Sequence, residues 1–374
     1  MSRKPFVVYW NNIPAPYMVE RFNLLADRAN INFEAWFNDR SQYDRSWIVD
    51  ESNWCFRYRY MNTLVVGGRR LHFPLPLLKR NRPNILVSLY SEPSYLLGWS
   101  IAKLRGIKTG FRVVTTFDSW VRRSTVKESL KKWIFPRVDF IVTEGIDGKA
   151  FAQHYGAKSD VIFFARHGID VTHFKDGSTM DSLKRSLLRR ELGLKGTTYI
   201  YVGRLLKLKG LNYLLDAFRE VQRPSGLKMS LILVGDGADE EFFRNKCKVD
   251  NIQNVIFAGF RQKNELPKMF AAADVFVFPS LGDPYGLVVD EAMACRLPVI
   301  STSSVGEIRE RVGDGINGYI VPPEDSHALA EAMLKLVRDP ILRRRMGYVS
   351  AEKIAGHTPE KWADDFERVV FSMI

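Results

Sequence analysis

Short apolar runs rich in β-branched and aromatic residues recur along the chain, and most are followed by a segment of helical period. In the first half, residues 6–10, 31–37, 84–89, 108–115, 139–143 and 160–164 read as buried strands. Helices fit 17–29, with Val19, Phe22, Leu25 and Ala26 inward, then 93–105, closed by Gly106, and 145–155. The aromatic and polar stretch 38–59 carries no regular period. In the second half, strands fit 198–203, 229–235, 255–259, 274–279 and 298–300. Helices fit 211–221, with Leu211, Leu214, Leu215 and Phe218 on one face, then a segment ending near 249, and 265–272. Strands alternating with helices of this length predict an α/β chain with doubly wound parallel sheets. At 374 residues the chain has room for two such domains. The Lys-, Arg- and Ser-rich run 175–190 is the expected linkage, giving domains over 1–180 and 181–358.

The richest chemistry lies in 280–300. Asp283-Pro284 marks a turn, because a residue before proline avoids the helical region. Gly286 permits close backbone approach where a helix begins, and Leu287, Val288, Ala292, Met293 and Cys295 give that helix an apolar face. The first-turn N–H groups near Tyr285, Gly286 and Leu287 form an anion site, with carboxylates on either side at Asp283 and Glu291. Such a set suits a nucleoside diphosphate, with amides for phosphate and acids for sugar hydroxyls. The plainer alternative makes Asp283 a helix cap and Glu291 a solvated helix acid. Arg204 can hold phosphate oxygens bidentately, and Lys209 adds a point charge. Ligands of doubly wound sheets bind at the carboxyl ends of strands, and Arg204, Gly235, Ser280 and Asp283 all fall at such ends, where they can share one crevice.

Charge is distributed unevenly. The formal net charge is +13, and residues 1–175 hold 27 Lys+Arg against 15 Asp+Glu. An anionic partner for the first half follows: a membrane surface, a nucleic acid or an acidic substrate. Within it, 119–135 has Val126, Leu130, Trp133 and Ile134 at helical spacing and a cationic set of Arg122, Arg123, Lys127, Lys131 and Lys132. That pattern fits a helix lying on anionic lipid, or a solvated helix packed on the sheet. Three scattered cysteines suit a reducing compartment, and no run is long and apolar enough to span a membrane. The opening residues lack a signal-peptide layout, so a cytoplasmic protein held at the inner membrane face is expected.

A set of motifs then points to a family. Tyr201-Val-Gly-Arg204-Leu-x3-Lys209-Gly210, Leu233-Val-Gly-Asp-Gly237, Pro279-Ser280, Asp283-Pro-Tyr-Gly-Leu-Val-x2-Glu291-Ala, Pro298-Val and Asp314-Gly-x-Asn-Gly318 occur in the order and spacing of family-4 retaining glycosyltransferases. The resemblance covers about 197–325 and extends more loosely to Pro16-Tyr17 and His167-Gly-Ile-Asp170. It implies the GT-B fold, two Rossmann-like domains facing across a cleft, with the acceptor on the first and the nucleotide-sugar on the second. It also implies that a C-terminal helix, about 359–374, packs back on the first domain. By resemblance, Arg204 and Lys209 neutralise the donor diphosphate. Gly203, Gly235, Tyr285, Gly286 and Leu287 meet the donor, Glu291 holds the ribose, and Asp283 stands against the donor sugar. The sequence departs from the family pattern in having Asp283 for a glutamate, Phe117-Asp118 for a His-Asp pair, and Gly306-Glu307 for a Gly-Gly pair.

The expected activity is retaining transfer of a sugar from a UDP-, GDP- or other nucleotide-sugar to a glycan or glycolipid acceptor. Asp118 joins Arg204, Lys209 and Asp283 as the catalytic set, with no metal and no cofactor. Two rivals are a basic nucleic-acid-binding protein, for which no base-stacking motif is present, and a GT-B sugar-nucleotide enzyme such as an epimerase.

Overall fold

A computed structural model describes residues 4–41, 50–67, 69–117, 124–225 and 227–374. The chain divides into two compact units, with the main crossovers at Gly168–Ile169 and His357–Thr358; Thr115, Thr116 and Phe117 also group with the second unit. The first unit holds β1 (Phe6–Asn11), α1 (Pro16–Ala26), β2 (Asn32–Phe37), β3 (Arg57–Tyr60), β4 (Asn62–Val66), β5 (Arg69–Phe73), β6 (Ile85–Ser88), α2 (Pro93–Leu104), β7 (Lys108–Val113), α3 (Thr125–Ile134), β8 (Phe140–Thr143), α4 (Ile146–His154) and β9 (Ile162–Phe164). Seven strands form one parallel sheet in the order β3-β2-β1-β6-β7-β8-β9, and β4 and β5 form a separate antiparallel ribbon. Alternation along the strands gives two cores. Val7, Tyr9, Phe33, Val87 and Phe140 face one way, and Val8, Trp10, Trp36, Leu86 and Phe111 the other.

Two first-unit elements lack the alternating pattern of a half-buried strand. Edge strand β3 reads Arg-Tyr-Arg-Tyr, with no buried residue, and pairs with β2 alone. Polar groups hold this region instead. Glu51 accepts from Tyr58 at 2.6 Å, Tyr60 at 2.9 Å and Arg40 at 2.9 Å. In β4 the residues 62–65 are all exposed, so no in-and-out alternation marks that strand.

The second unit contains α5 (Val171–Ser178), α6 (Ser182–Glu191), β10 (Thr197–Val202), α7 (Leu211–Ser225), β11 (Met229–Val234), α8 (Glu240–Val249), β12 (Val255–Gly259), α9 (Leu266–Ala272), β13 (Val275–Phe278), α10 (Leu287–Ala294), β14 (Val299–Thr302), α11 (Ile308–Arg311), β15 (Gly318–Val321), α12 (Ser326–Arg338) and α13 (Pro340–Ile354). Its six parallel strands are ordered β12-β11-β10-β13-β14-β15. β10, β11 and β13 are almost continuously buried, as expected where helices cover both faces. Leu211, Leu214, Leu215 and Phe218 of α7 are all fully buried in that core.

The expected linkage over 175–190 is corrected by the structure. Those residues form parts of α5 and α6, and the crossover comes earlier, at Gly168–Ile169. Their cations are anchors, not a solvated tether. Arg185 donates to Ala271 O at 2.8 Å and Ala273 O at 2.9 Å, and Arg189 donates to Ala272 O at 2.7 Å. Both also reach the Asp274 carboxylate, so α6 ties down the end of α9 and the residues that follow it. The final helix, α14 (Pro359–Ser372), belongs to the first unit, where Trp362 and Phe366 pack on Tyr9.

Candidate functional site

In the second unit, strand order runs outward in both directions from the β10/β13 boundary. That boundary is the topological switch point, where loops from adjacent strands leave in opposite directions and open a crevice. The loop after β10 carries Gly203, Arg204 and Lys209; the loop after β13 carries Ser280, Asp283 and Gly286. The two loops are joined. Leu281 N–H donates to Leu208 O at 3.0 Å, and Lys209 Nζ lies 2.6 Å from Asp283 Oδ2. Gly210 makes the approach possible: at φ 72°, a Cβ there would lie 1.8 Å from Pro279 O. On the other flank, Leu205 N–H donates to Asp236 O at 2.7 Å, and Gly235 (φ 134°) packs against the Gly203 carbonyl.

Lys209 and Asp283 are mostly shielded, at 12% and 16% side-chain exposure. The second Asp283 oxygen accepts the Tyr285 N–H at 3.1 Å. This short-range bond fits the chemistry of aspartate, which turns back on its own loop. The helix-cap alternative is not what forms. Gly286, at φ 71°, is the residue at the N-cap of α10, and no side chain caps it.

What shapes this loop from beneath is a residue that sequence reasoning did not single out. Arg311 is fully buried and donates to the carbonyls of Tyr285, Gly286 (3.2 Å) and Gly306 (2.9 Å). It also pairs with Asp290 at 2.9 Å, and its guanidinium stacks 4.0 Å from the Tyr285 ring centroid. Burial works against its charge, and Asp290 with the ring and carboxylate neighbours more than restores it. A peptide unit is planar and trans, so a carbonyl turned toward Arg311 turns the following N–H the other way. The N–H groups of Gly286 and Leu287 are thereby aimed away from Arg311, at the start of an eight-residue helix. Tyr285 is buried, its hydroxyl faces Asp290 at 3.2 Å, and its N–H and carbonyl are taken by Asp283 and Arg311, so the residue is structural and the amides open to a ligand are those of Gly286 and Leu287.

Arg204 is half-buried just after β10, its carbonyl accepting from Tyr201 OH at 2.8 Å. Glu291 is half-buried one turn into α10. Gly306 cannot be larger, since a Cβ would meet Pro284 O at 2.1 Å. The next residue, Glu307, is buried with φ 57°, a backbone that a glycine adopts without strain and a glutamate does not. Asp118, expected in the catalytic set, lies outside the described residues, as do Arg122 and Arg123.

The first unit uses its strand ends differently. Arg112, Glu144 and His167, from β7 and from just after β8 and β9, are buried together. Arg112 Nη2 lies 3.2 Å from Glu144 Oε1 and 3.0 Å from His167 Nε2. Of the basic helix set, Lys127 and Lys132 are exposed, but Lys131 is not available to a partner surface. It pairs with Glu128 at 2.9 Å and lies over the Phe151 and Tyr155 rings. Ile134 is the inward apolar residue of α3, whereas Val126, Leu130 and Trp133 form an exposed stripe. Among the described residues no helix is long and apolar enough to cross a membrane.

Comparison with known proteins agrees with this geometry. Residues 185–353 match the family of glycosyl transferases group 1. That match spans a little under half of the chain, and the chain as a whole has the GT-B fold. It is 30% identical over 175 residues to an alpha-D-kanosaminyltransferase of Streptomyces kanamyceticus, covering 46% of this chain and 44% of that protein. It is 33% identical over 191 residues to a phosphatidyl-myo-inositol mannosyltransferase of Mycobacterium leprae, covering 50% of each. The matched segment thus spans about half the length of these curated relatives. The fold extends over almost the whole chain. HepE of Anabaena, solved with UDP and glucose, superposes with a TM-score of 0.78 at 16% identity over 98% of this chain and 100% of that one. WaaG, a glycosyltransferase involved in lipopolysaccharide biosynthesis, superposes with a TM-score of 0.68 at 17% identity, covering 96% and 98%.

Proposed function

We propose that this protein is a retaining, nucleotide-sugar-dependent glycosyltransferase that acts on a lipid-linked or polysaccharide-precursor acceptor at the cytoplasmic face of the membrane. The observation that carries the proposal is the convergence of Arg204, the Lys209–Asp283 pair and the α10 N-terminus on one switch point. A departing diphosphate gathers negative charge as the glycosidic bond breaks. Preorganised cations and amides aimed at that charge are the largest single source of catalysis in such a site. Arg204 and Lys209 supply the cations, the Gly286 and Leu287 amides supply the dipoles, and no metal is needed to balance the charge. The Lys209–Asp283 contact holds both groups in place before the donor arrives. When phosphate takes Lys209, Asp283 is released toward the donor sugar. Glu291 accepts hydrogen bonds from the ribose hydroxyls. With no side-chain nucleophile assigned, the acceptor attacks from the leaving-group face, and a phosphate oxygen takes its proton. The exposed Val126–Leu130–Trp133 stripe beside Lys127 and Lys132 supports a membrane-surface acceptor.

The test is transfer of labelled sugar by the purified protein. Arg204→Ala and Lys209→Ala should each lower kcat by on the order of a hundredfold or more. Near wild-type turnover in both folded variants would contradict the assignment.

A further inference from the structure

The first half holds a second basic and apolar surface that helix α3 does not account for. Residues 62–83 contain five Lys+Arg and no Asp or Glu. They form the β4–β5 ribbon and the short helical turn after it, Leu75–Leu78. Successive strand residues point to opposite faces, so one of two neighbours is normally covered. Here Leu64 and Val65 are both open, at 53% and 62% exposure, so neither face of the outer ribbon packs on the unit. The base of the ribbon is fixed. His72 is buried, its N–H donates to Ser94 Oγ at 2.9 Å, and Thr63 Oγ1 lies 2.9 Å from its ring. Leu75 and Leu78 are exposed in the following turn, next to exposed Lys79, Arg80 and Arg82.

These residues adjoin α3 through α2. β5 and the turn pack on α2, and the α2 residue Trp99 meets Trp133 of α3 at 5.8 Å between ring centroids. Leu77, Tyr95 and Ile134 place the turn, α2 and α3 on one side of the seven-stranded sheet. The other side is covered by α1 and α14, and α14 carries four acids against two cations. One outer layer of the unit is therefore apolar and cationic, and the opposite layer is not.

We infer that the β4–β5 ribbon and the Leu75–Leu78 turn form a membrane-inserting element, seated in an anionic bilayer beside α3. Leu64, Val65, Leu75 and Leu78 enter the headgroup boundary, while Lys79, Arg80 and Arg82 meet lipid phosphates. The occupant is argued from charge: a run of five cations without an acid suits a sheet of anionic headgroups, and open apolar side chains beside it suit the acyl boundary. This inference rests on the membrane-surface part of the proposed function, and names a site that α3 alone does not provide.

Co-sedimentation of the full chain with phosphatidylglycerol–phosphatidylcholine vesicles tests it. Leu64→Asp/Val65→Asp should weaken vesicle binding at least tenfold, and Leu64→Thr/Val65→Thr, which keeps strand propensity, should weaken it measurably. Leu64→Trp should strengthen it, and all three should melt as the wild type does. Wild-type binding by Leu64→Asp/Val65→Asp and no gain from Leu64→Trp would overturn the inference while leaving membrane binding through α3 intact. A wild-type chain that ignores anionic vesicles would overturn both. Ribbon-dependent self-association without any vesicle effect would make a second copy the occupant and also overturn it.

Discussion

The two units share a sheet topology and use the ends of their strands in opposite ways. In the first, the charges at the strand ends are Arg112, Glu144 and His167, all buried and paired with one another. In the second they are Arg204, Lys209 and Asp283, partly open and mounted on two loops that meet at the switch point. Charges that are buried and paired are costly to separate, because removing one partner leaves the other desolvated. A half-open pair can exchange one partner for another. The same contrast runs through the surfaces. The first unit turns cations and apolar side chains outward, while the second spends Arg185, Arg189 and Arg311 on its own carbonyls. Topology therefore says where a site can be, and the exposure of the charges says which unit has one facing a soluble ligand.

The largest effect should come from the residue that makes the second unit's loop what it is. Arg311→Ala leaves the buried Asp290 without its cation and the carbonyls of Tyr285, Gly286, Gly306 and Glu307 without this donor. Removing one partner of such a pair costs about 3–5 kcal/mol. Thermal unfolding should show a loss of that size, against little change for Arg204→Ala. Equal stability of the two variants would erase the distinction between the framework cation and the ligand-facing one.

Asp283 and Glu291 sharpen the comparison further. Glu291→Ala should weaken nucleoside diphosphate binding about tenfold, the worth of one charged hydrogen bond of ~1.4 kcal/mol or more. Asp283→Ala should slow transfer and leave diphosphate binding nearly unchanged. Calorimetry and turnover on both variants separate the roles, and the reverse pattern would exchange them.

The smallest expected effect is at Glu307. Its left-handed backbone costs roughly 1–2 kcal/mol, and a glycine there regains this less its own chain entropy of about 0.5–1 kcal/mol. Glu307→Gly should therefore be neutral to slightly stabilising by thermal melting. A clear loss of stability would mean that the carboxylate itself braces the loop.

Much of this was legible in the sequence where burial was continuous. The runs at β10, β11 and β13 have both faces covered and read as strands from composition alone. Arg204, Lys209, Asp283 and Gly286 stand out in the sequence because glycine, proline and charge cluster at strand ends, and the structure places them in the two loops at the β10/β13 boundary. The failures share a cause: a charge looks solvated until its partner is known. Arg311 stands among Glu307, Arg309 and Glu310 and has the look of a surface residue, but it is fully buried. Arg185 and Arg189 gave 175–190 the composition of a linker, and they clamp the end of α9 instead. Lys131 was counted with the outward cations and turns inward to Glu128. The β4–β5 ribbon escaped notice because Leu64 and Val65 are both exposed, which removes the alternation that marks a half-buried strand.

The claim on which the rest depends is that a nucleoside diphosphate binds at the β10/β13 switch point of the second unit. A thermal-shift titration of the full chain with UDP, GDP, ADP and their sugar derivatives measures this directly, because a ligand that binds the folded state raises its apparent stability with concentration. One nucleotide series should raise the melting temperature of the wild type in a concentration-dependent way, and the shift should vanish in Arg204→Ala/Lys209→Ala. A wild type that no diphosphate stabilises, or a double variant that keeps the full shift, would contradict the account.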